Sequence, residues 1–128
     1  MTETEILAFA DRFIDAIERG DADAVRACYA PDAKIWHNTD KIEQTVDQNV
    51  KSVAWFGRKL PKRNYRIVRR EALKDGFLQQ HVLEAELPDG GAWSLAACVV
   101  IRMKDGLITR LDEYIDSAET TALSALGR

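Results

Sequence analysis

Between residues 6 and 17, apolar side chains recur at Ile6, Phe9, Ala10, Phe13, Ile14 and Ile17. This three-and-four spacing lines one side of an amphipathic helix. Thr2 and Glu5 stand at capping-box spacing ahead of it, and Gly20 supplies its stop. Asp21 then predicts the cap of a short second helix through "ADAVRACY", with Ala24, Val25, Cys28 and Tyr29 on its apolar side. "APDA" predicts a turn, because Pro31 forbids further helix and Asp32 has turn chemistry. "AKIWHN" follows as a strand. Asp40 and Glu43 predict the cap of a third helix carrying Ile42, Val46, Val50, Val53 and Phe56 on one side.

Beyond Gly57 and Pro61 the period changes from helical to two. "NYRIVRREAL" turns at "KDG" into "FLQQHVLEAEL", "PDGG" turns into the long run "AWSLAACVVIRM", and a second "KDG" turns into "LITRLDEYID". A short helix around "AETTALSAL" closes the pattern, with Asp116 available as its cap. Helices gathered at the front and a meander of four strands behind them predict an α+β domain, with helices packed on one face of a curved antiparallel sheet. Residues 1–128 read as a single domain, without repeat, low-complexity tract or linker.

Composition adds mostly exclusions. Hydrophobic residues are 46% and charged residues 30% of the 128 positions, an ordinary balance that needs no metal or disulfide staple. A net charge of -3 argues against nucleic acid as a partner. The basic run "GRKLPKRNYRIVRR" reads as a solvated loop entering a strand with a charged outer face. Cys28 and Cys98 lie in apolar surroundings without metal-ligand spacing and read as small hydrophobes in a reducing compartment. Neither a charged-then-apolar leader nor an apolar run of membrane-spanning length is present in the sequence. The expectations are therefore a cytoplasmic protein, no membrane partner, no metal and no cofactor.

Two stretches carry a family resemblance: "FIDAIERGDADAVRACYAPDAKIWHN" at the front and "MKDGLITRLDEYID" near the end. The first resembles the helix, Gly-Asp, short helix and strand entry of the SnoaL-like branch of the NTF2-like superfamily. The second resembles that branch's glycine hairpin and its closing strand ending in Tyr-x-Asp. The resemblance implies a cone-shaped α+β barrel, in which the sheet curls around an apolar pocket closed by the first helix. It also implies a homodimer through the outer sheet face, where Trp36 and Tyr114 would lie. It does not choose a reaction, since relatives include isomerases, cyclases, hydrolases, dehydratases and proteins that only bind.

Strand alternation offers a separate handle on the site. Ile35 and His37 share one face of their strand, opposite Lys34 and Trp36. Leu111, Glu113 and Ile115 share a face, as do Trp93, Leu95, Ala97, Val99 and Ile101, the bulkier side and therefore the expected pocket wall. By similarity with ketosteroid isomerase, His37 takes the place of the aspartate base. That enzyme's oxyanion donors correspond to Phe13 and Val99, so enolate stabilisation is lost. By similarity with limonene epoxide hydrolase, Glu113 takes the place of the last-strand carboxylate; that enzyme's Arg-x-Asp is absent, Gln79 and His81 lie near its place, and a His81–Glu113 pair would be left to activate water. Scytalone dehydratase uses two histidines, and this chain has His37 and His81, but no tyrosine on the first helix.

Together these readings imply a cofactor-free acid–base enzyme acting on a hydrophobic small molecule. His37 would transfer the proton, because an imidazole of pKa about 6.5 exchanges protons near neutrality. Glu113 would orient or charge-balance it, His81 would assist, and Phe13, Ile17, Trp93, Leu95 and Val99 would shape the cavity. Each polar residue also has a plainer reading. His37 could be a part-buried histidine on a backbone carbonyl, His81 an edge residue, and Glu113 a solvated one. The competing class is a ligand-binding or protein-association module of the same fold.

Overall fold

The computed structural model describes residues 1–127. Helix α1, Glu3–Arg19, begins at the expected box: Thr2 Oγ1 accepts from Glu5 N–H at 3.1 Å, and Thr2 N–H donates to Glu5 Oε1 at 2.7 Å. It ends at Gly20, whose φ of +68° favours a residue without Cβ. The N–H of Gly20 satisfies carbonyls of the last turn. The stripe Ile6, Phe9, Ala10, Phe13, Ile14 is buried. Helix α2, Ala22–Cys28, is capped by Asp21 as its sequence predicts.

Strand β1, Tyr29–His37, starts immediately after α2. No separate turn intervenes at "APDA"; Pro31 and Asp32 fall inside the strand, where its register with the neighbouring strand slips between Tyr29 and Lys34. A proline without N–H is tolerated at such an irregularity. The third helix also begins later than Asp40 and Glu43 predict. Asp40 Oδ1 instead accepts from Ile42 N–H in a tight turn, and Lys41 takes a φ of +58°. Glu43–Gln44 form the short strand β2, leaving Ile42 58% exposed and outside any helical stripe. Helix α3, Val46–Lys59, is capped by a Thr45–Gln48 box.

The remaining strands are β3 (Arg63–Leu73), β4 (Gly76–Glu86), β5 (Ala92–Lys104) and β6 (Leu107–Ile115). They form the antiparallel meander, and β1 joins its far side so that the order is β2-β1-β6-β5-β4-β3. The β1–β6 pairing is parallel, whereas every other pairing is antiparallel. Register slips between Ile67 and Arg69 and between Arg102 and Met103 add local bend and twist to the sheet. The curved sheet is not closed; β2 and β3 remain edges. Helices α1 and α3 lie on its concave face and share one core with Ile35, Phe77, Val99, Ile101 and Leu111. Helix α4, Ser117–Thr120, is capped by Asp116 and runs into a 3-10 turn, Thr121–Leu126.

Two contacts fix α1 over the site end of the sheet. Glu18 accepts from the Tyr65 N–H of edge strand β3 at 2.7 Å, and the Arg63 guanidinium donates to Ile17 O and Leu60 O at 3.3 and 3.1 Å. Arg63 thus meets the C-terminal carbonyls of both long helices. Cations are favoured there because the helix dipole leaves those carbonyls electron-rich. No helix among the described residues is long and apolar enough to cross a membrane.

Candidate functional site

His37 and Glu113 are direct neighbours in the parallel β1–β6 register. Paired residues of adjacent strands project to the same side of a sheet, here the concave one. His37 Nε2 lies 3.1 Å from Glu113 Oε1, with side chains 21% and 22% exposed. Asn38, the next residue, holds this register: its amide donates to Ile115 O at 3.1 Å and accepts from Ile115 N–H at 2.9 Å. Its own N–H donates to Glu113 O, and Lys41 N–H returns to His37 O. Backbone bonds therefore tie down both sides of the histidine.

The hydrogen bond to Glu113 raises the His37 pKa above its ordinary 6.5, against an opposing contribution from burial; the charges of Glu113 and Asp40 add to the rise. The pair borders a recess of about 110 Å³. Its apolar wall is Ile17, Val53, Phe56 and Leu111, and its other polar side chains are Asn49, Ser52 and Tyr65. Tyr29 Oη donates to Asn49 Oδ1 at 2.9 Å, which leaves the Asn49 amide N–H2 free to donate. Burial, reinforced by the Glu113 charge, pushes the phenols of Tyr29 and Tyr65 well above their usual range, so both stay neutral.

Of the five side chains expected to shape the cavity, only Ile17 borders this recess. Phe13 is core: it stacks on Phe9 at 6.5 Å and meets the edge of Tyr29 at 5.7 Å. Val99 is the cross-strand neighbour of Glu113 but lies buried beneath the helices. Leu95 is buried beside its cross-strand partner Leu83. Trp93 donates its indole N–H to Glu119 O at 2.7 Å and borders a wide open groove of about 850 Å³ formed with Lys62, Asn64, Glu84 and Glu86. The concave face of β5 is longer than the recess, so sharing that face does not guarantee lining it.

His81 is also placed apart from the pair. It is 5% exposed, its Nδ1 is 3.0 Å from Gln79 Nε2, and its ring is 5.2 Å from that of Tyr65. Burial lowers its pKa below 6.5. Glu113 bonds to His37 and not to His81, so a His81–Glu113 pair for activating water is not formed.

Asn49, Ser52, Val53 and Phe56 were not among the sequence candidates, although their spacing of three, four and seven places them on one face of α3. Val53 and Phe56 belong to the apolar stripe of α3, whereas Asn49 and Ser52 are polar and leave no apolar signal for periodicity to register.

A family model described as a SnoaL-like domain matches residues 10–111. No curated protein matches the chain in sequence. Among solved structures, AclR from Streptomyces galilaeus is similar with TM-score 0.83 and 18% identity, over 98% of this chain and 87% of that one. An LEH-like epoxide hydrolase from M. tuberculosis is similar with TM-score 0.75 and 19% identity, over 97% and 91%. A protein of ketosteroid isomerase-like fold from Catenulispora acidiphila, in complex with trimethylamine, is similar with TM-score 0.76 and 13% identity, over 91% and 92%. At these identities the likeness is one of fold.

Proposed function

The chain belongs to the SnoaL-like domain family, and from that premise we propose that it performs acid–base chemistry on a small, largely apolar molecule held against His37 and Glu113. The observation that carries this reading is the 3.1 Å contact between His37 Nε2 and Glu113 Oε1 at the border of a recess. With Nε2–H donating to the carboxylate, Nδ1 is the ring atom left to exchange a proton. Neutral His37 takes a proton from a ligand C–H or O–H at Nδ1, and Glu113 stabilises the imidazolium that forms. The same imidazolium then returns the proton to a different ligand atom, or to a leaving oxygen. Tyr65 and Asn49 supply neutral donors for oxygen that gains negative charge, the service that Phe13 and Val99 cannot give.

Ligand sites for drug-sized molecules span roughly 300–1,000 Å³. A recess of about 110 Å³ therefore suits a ligand of few atoms, or one end of a larger one. The test is a screen of small enolisable ketones, hydroxy ketones and epoxides, read by NMR in deuterated water, on wild type and His37→Gln. Loss of turnover or of solvent deuterium uptake in the variant is the expected outcome. Turnover unchanged by the substitution refutes the role of His37.

A second, non-catalytic reading has its own support. The recess sets a carboxylate, Glu113, beside two aromatic rings, Phe56 and Tyr65. This combination suits a small organic cation, and the Catenulispora relative carries trimethylamine. Calorimetry with trimethylammonium on wild type and Glu113→Gln separates the two: tight binding lost in the variant, without turnover of any screened compound, favours binding alone.

A further inference from the structure

A chain of polar side chains crosses the concave face beside the recess and plays no part in the chemistry above. Arg70, on β3, bonds at its outer end to Asp11 of α1. Its Nε–H donates to Gln79 Oε1 at 2.8 Å, across the β3–β4 pairing. Gln79 is fully buried, a costly place for an amide unless both of its ends are partnered. The other end, Nε2, is 3.0 Å from His81 Nδ1.

Hydrogen-bond chemistry gives this chain one direction. A guanidinium only donates, so the oxygen of Gln79 must face Arg70 and its NH2 must face His81. An NH2 group only donates, so His81 Nδ1 must accept, and the ring proton must sit on Nε2. A protonated His81 would turn a second N–H against the Gln79 amide. No hydrogen bond to a protein group is made by His81 Nε2 among the described residues. The fully enclosed side-chain nitrogen and oxygen atoms without partners there are Gln44 Oε1 and Arg63 Nε. His81 Nε2 is not one of them, so part of this atom's surface is accessible although the residue is buried. Its ring meets Tyr65, which borders the recess.

We propose that Arg70 and Gln79 are positioning residues that lock His81 as the neutral Nε2–H tautomer, making it a fixed hydrogen-bond donor for a ligand oxygen of the carbonyl or ether type. His81 is then neither a base nor a cation in this fold. Of the charged groups around it, Glu113 favours the protonated ring, and burial, acting in the same direction as the Arg70 charge, outweighs it. The tautomer assignment stands without any ligand, so it holds or fails separately from the proposed chemistry of His37. The donor role rests on the recess of the proposed chemistry, which His81 adjoins through the Tyr65 ring without lining it.

Long-range 1H–15N NMR of the 15N-labelled full chain tests it, since the two neutral tautomers and the imidazolium have distinct nitrogen shifts. Wild type at pH 7 is expected to show His81 as a single neutral Nε2–H species. In Gln79→Leu that species gives way to a tautomer mixture. In Gln79→Glu the carboxylate accepts from Nδ1–H, so the proton pattern inverts or the ring becomes charged. An Nδ1–H tautomer or an imidazolium in wild type overturns the proposal, and that result needs no variant to fold. A wild-type pattern that persists in folded Gln79→Leu overturns the part assigned to Gln79. Arg70→Lys keeps the donor but not the fork, and is expected to broaden the His81 signals without reversing them. Cyclopentanone at high concentration is the ligand probe: a shift of the His81 Nε2 signal, reduced in Gln79→Glu, supports the donor role, and no shift overturns it.

Discussion

The coupling between His37 and Glu113 can be measured without knowing the substrate. Two unit charges 3.1 Å apart attract by about 5 kcal/mol at an effective dielectric of about 20. Both side chains are about one-fifth exposed, so water screens part of that, and each group has also lost hydration on folding. A net coupling of about 2 kcal/mol remains when the imidazole is charged, in line with hydrogen bonds to ionised groups. With neutral imidazole the carboxylate still accepts one N–H, and about 1 kcal/mol is expected. The sign follows from the raised His37 pKa. The folded state holds the proton more tightly, so the stabilisation is complete below the unfolded value near 6.5 and is lost as pH rises through the folded value. Urea unfolding of wild type, His37→Gln, Glu113→Gln and the double variant closes the cycle at pH 5.5 and again at pH 8.5. Coupling below about 0.3 kcal/mol at both pH values, or coupling that grows with pH, refutes the ion-pair reading.

Four further outcomes can be checked. His81 acts with the opposite sign: its folded pKa is lowered by burial, so its contribution is complete above 6.5 and falls with pH below it, an effect that should vanish in His81→Phe by denaturant titration across pH 5–8. Gly76→Ala should destabilise by roughly 3 kcal/mol or more or prevent folding, because its Cβ would come within 1.8 Å of Ile101 O, a backbone atom; a melting temperature within a degree of wild type contradicts the β4–β5 packing. Asn38→Ala should cost about 1–3 kcal/mol by leaving the Ile115 backbone groups short of partners, and should weaken the His37–Glu113 coupling in the same cycle. The family resemblance implies self-association through the convex face, where Tyr114 is 49% exposed, its ring 5.5 Å from Trp36, with Val68 in the adjoining groove. Tyr114→Glu should shift sedimentation from dimer to monomer, and a wild type that sediments as a monomer removes that expectation.

Much of the fold was legible because local signals agreed. The α1 stripe, its Thr2–Glu5 box and Gly20 all predict one helix, and the alternation of β1 and β6 puts His37 with Ile35 and Glu113 with Leu111. The region from Asn38 to Thr45 was harder, since it offers two cap signals in succession. Asp40 and Glu43 look like one, but the turn consumes Asp40, and the Thr45–Gln48 box starts the helix. The parallel partnership of β1 with β6 has no local signature, because it depends on two distant segments meeting at a sheet edge. The cavity lining failed for a related reason. A strand face records which side a residue takes and not how far along the strand the helices leave a gap, so Trp93, Leu95, Val99 and Phe13 lie beyond it or beneath it. Gln79 carries no local sequence signal for its bonds to Arg70 and His81, which depend on the β3–β4 register and on the choice of side-chain rotamers.

The Asn38–Ile115 clamp joins residues 77 positions apart, and this separation sets when the site can exist. During synthesis His37 emerges well before Glu113, and until β6 docks, the histidine has neither its carboxylate nor the clamp beside it. Its proton affinity is then that of an ordinary imidazole. Any event that peels β6 from β1, whether heat, denaturant or a partner competing for that edge, returns it to the same condition. The His37 titration midpoint is therefore a gauge of whether the last strand is seated, readable residue by residue while the antiparallel meander stays intact.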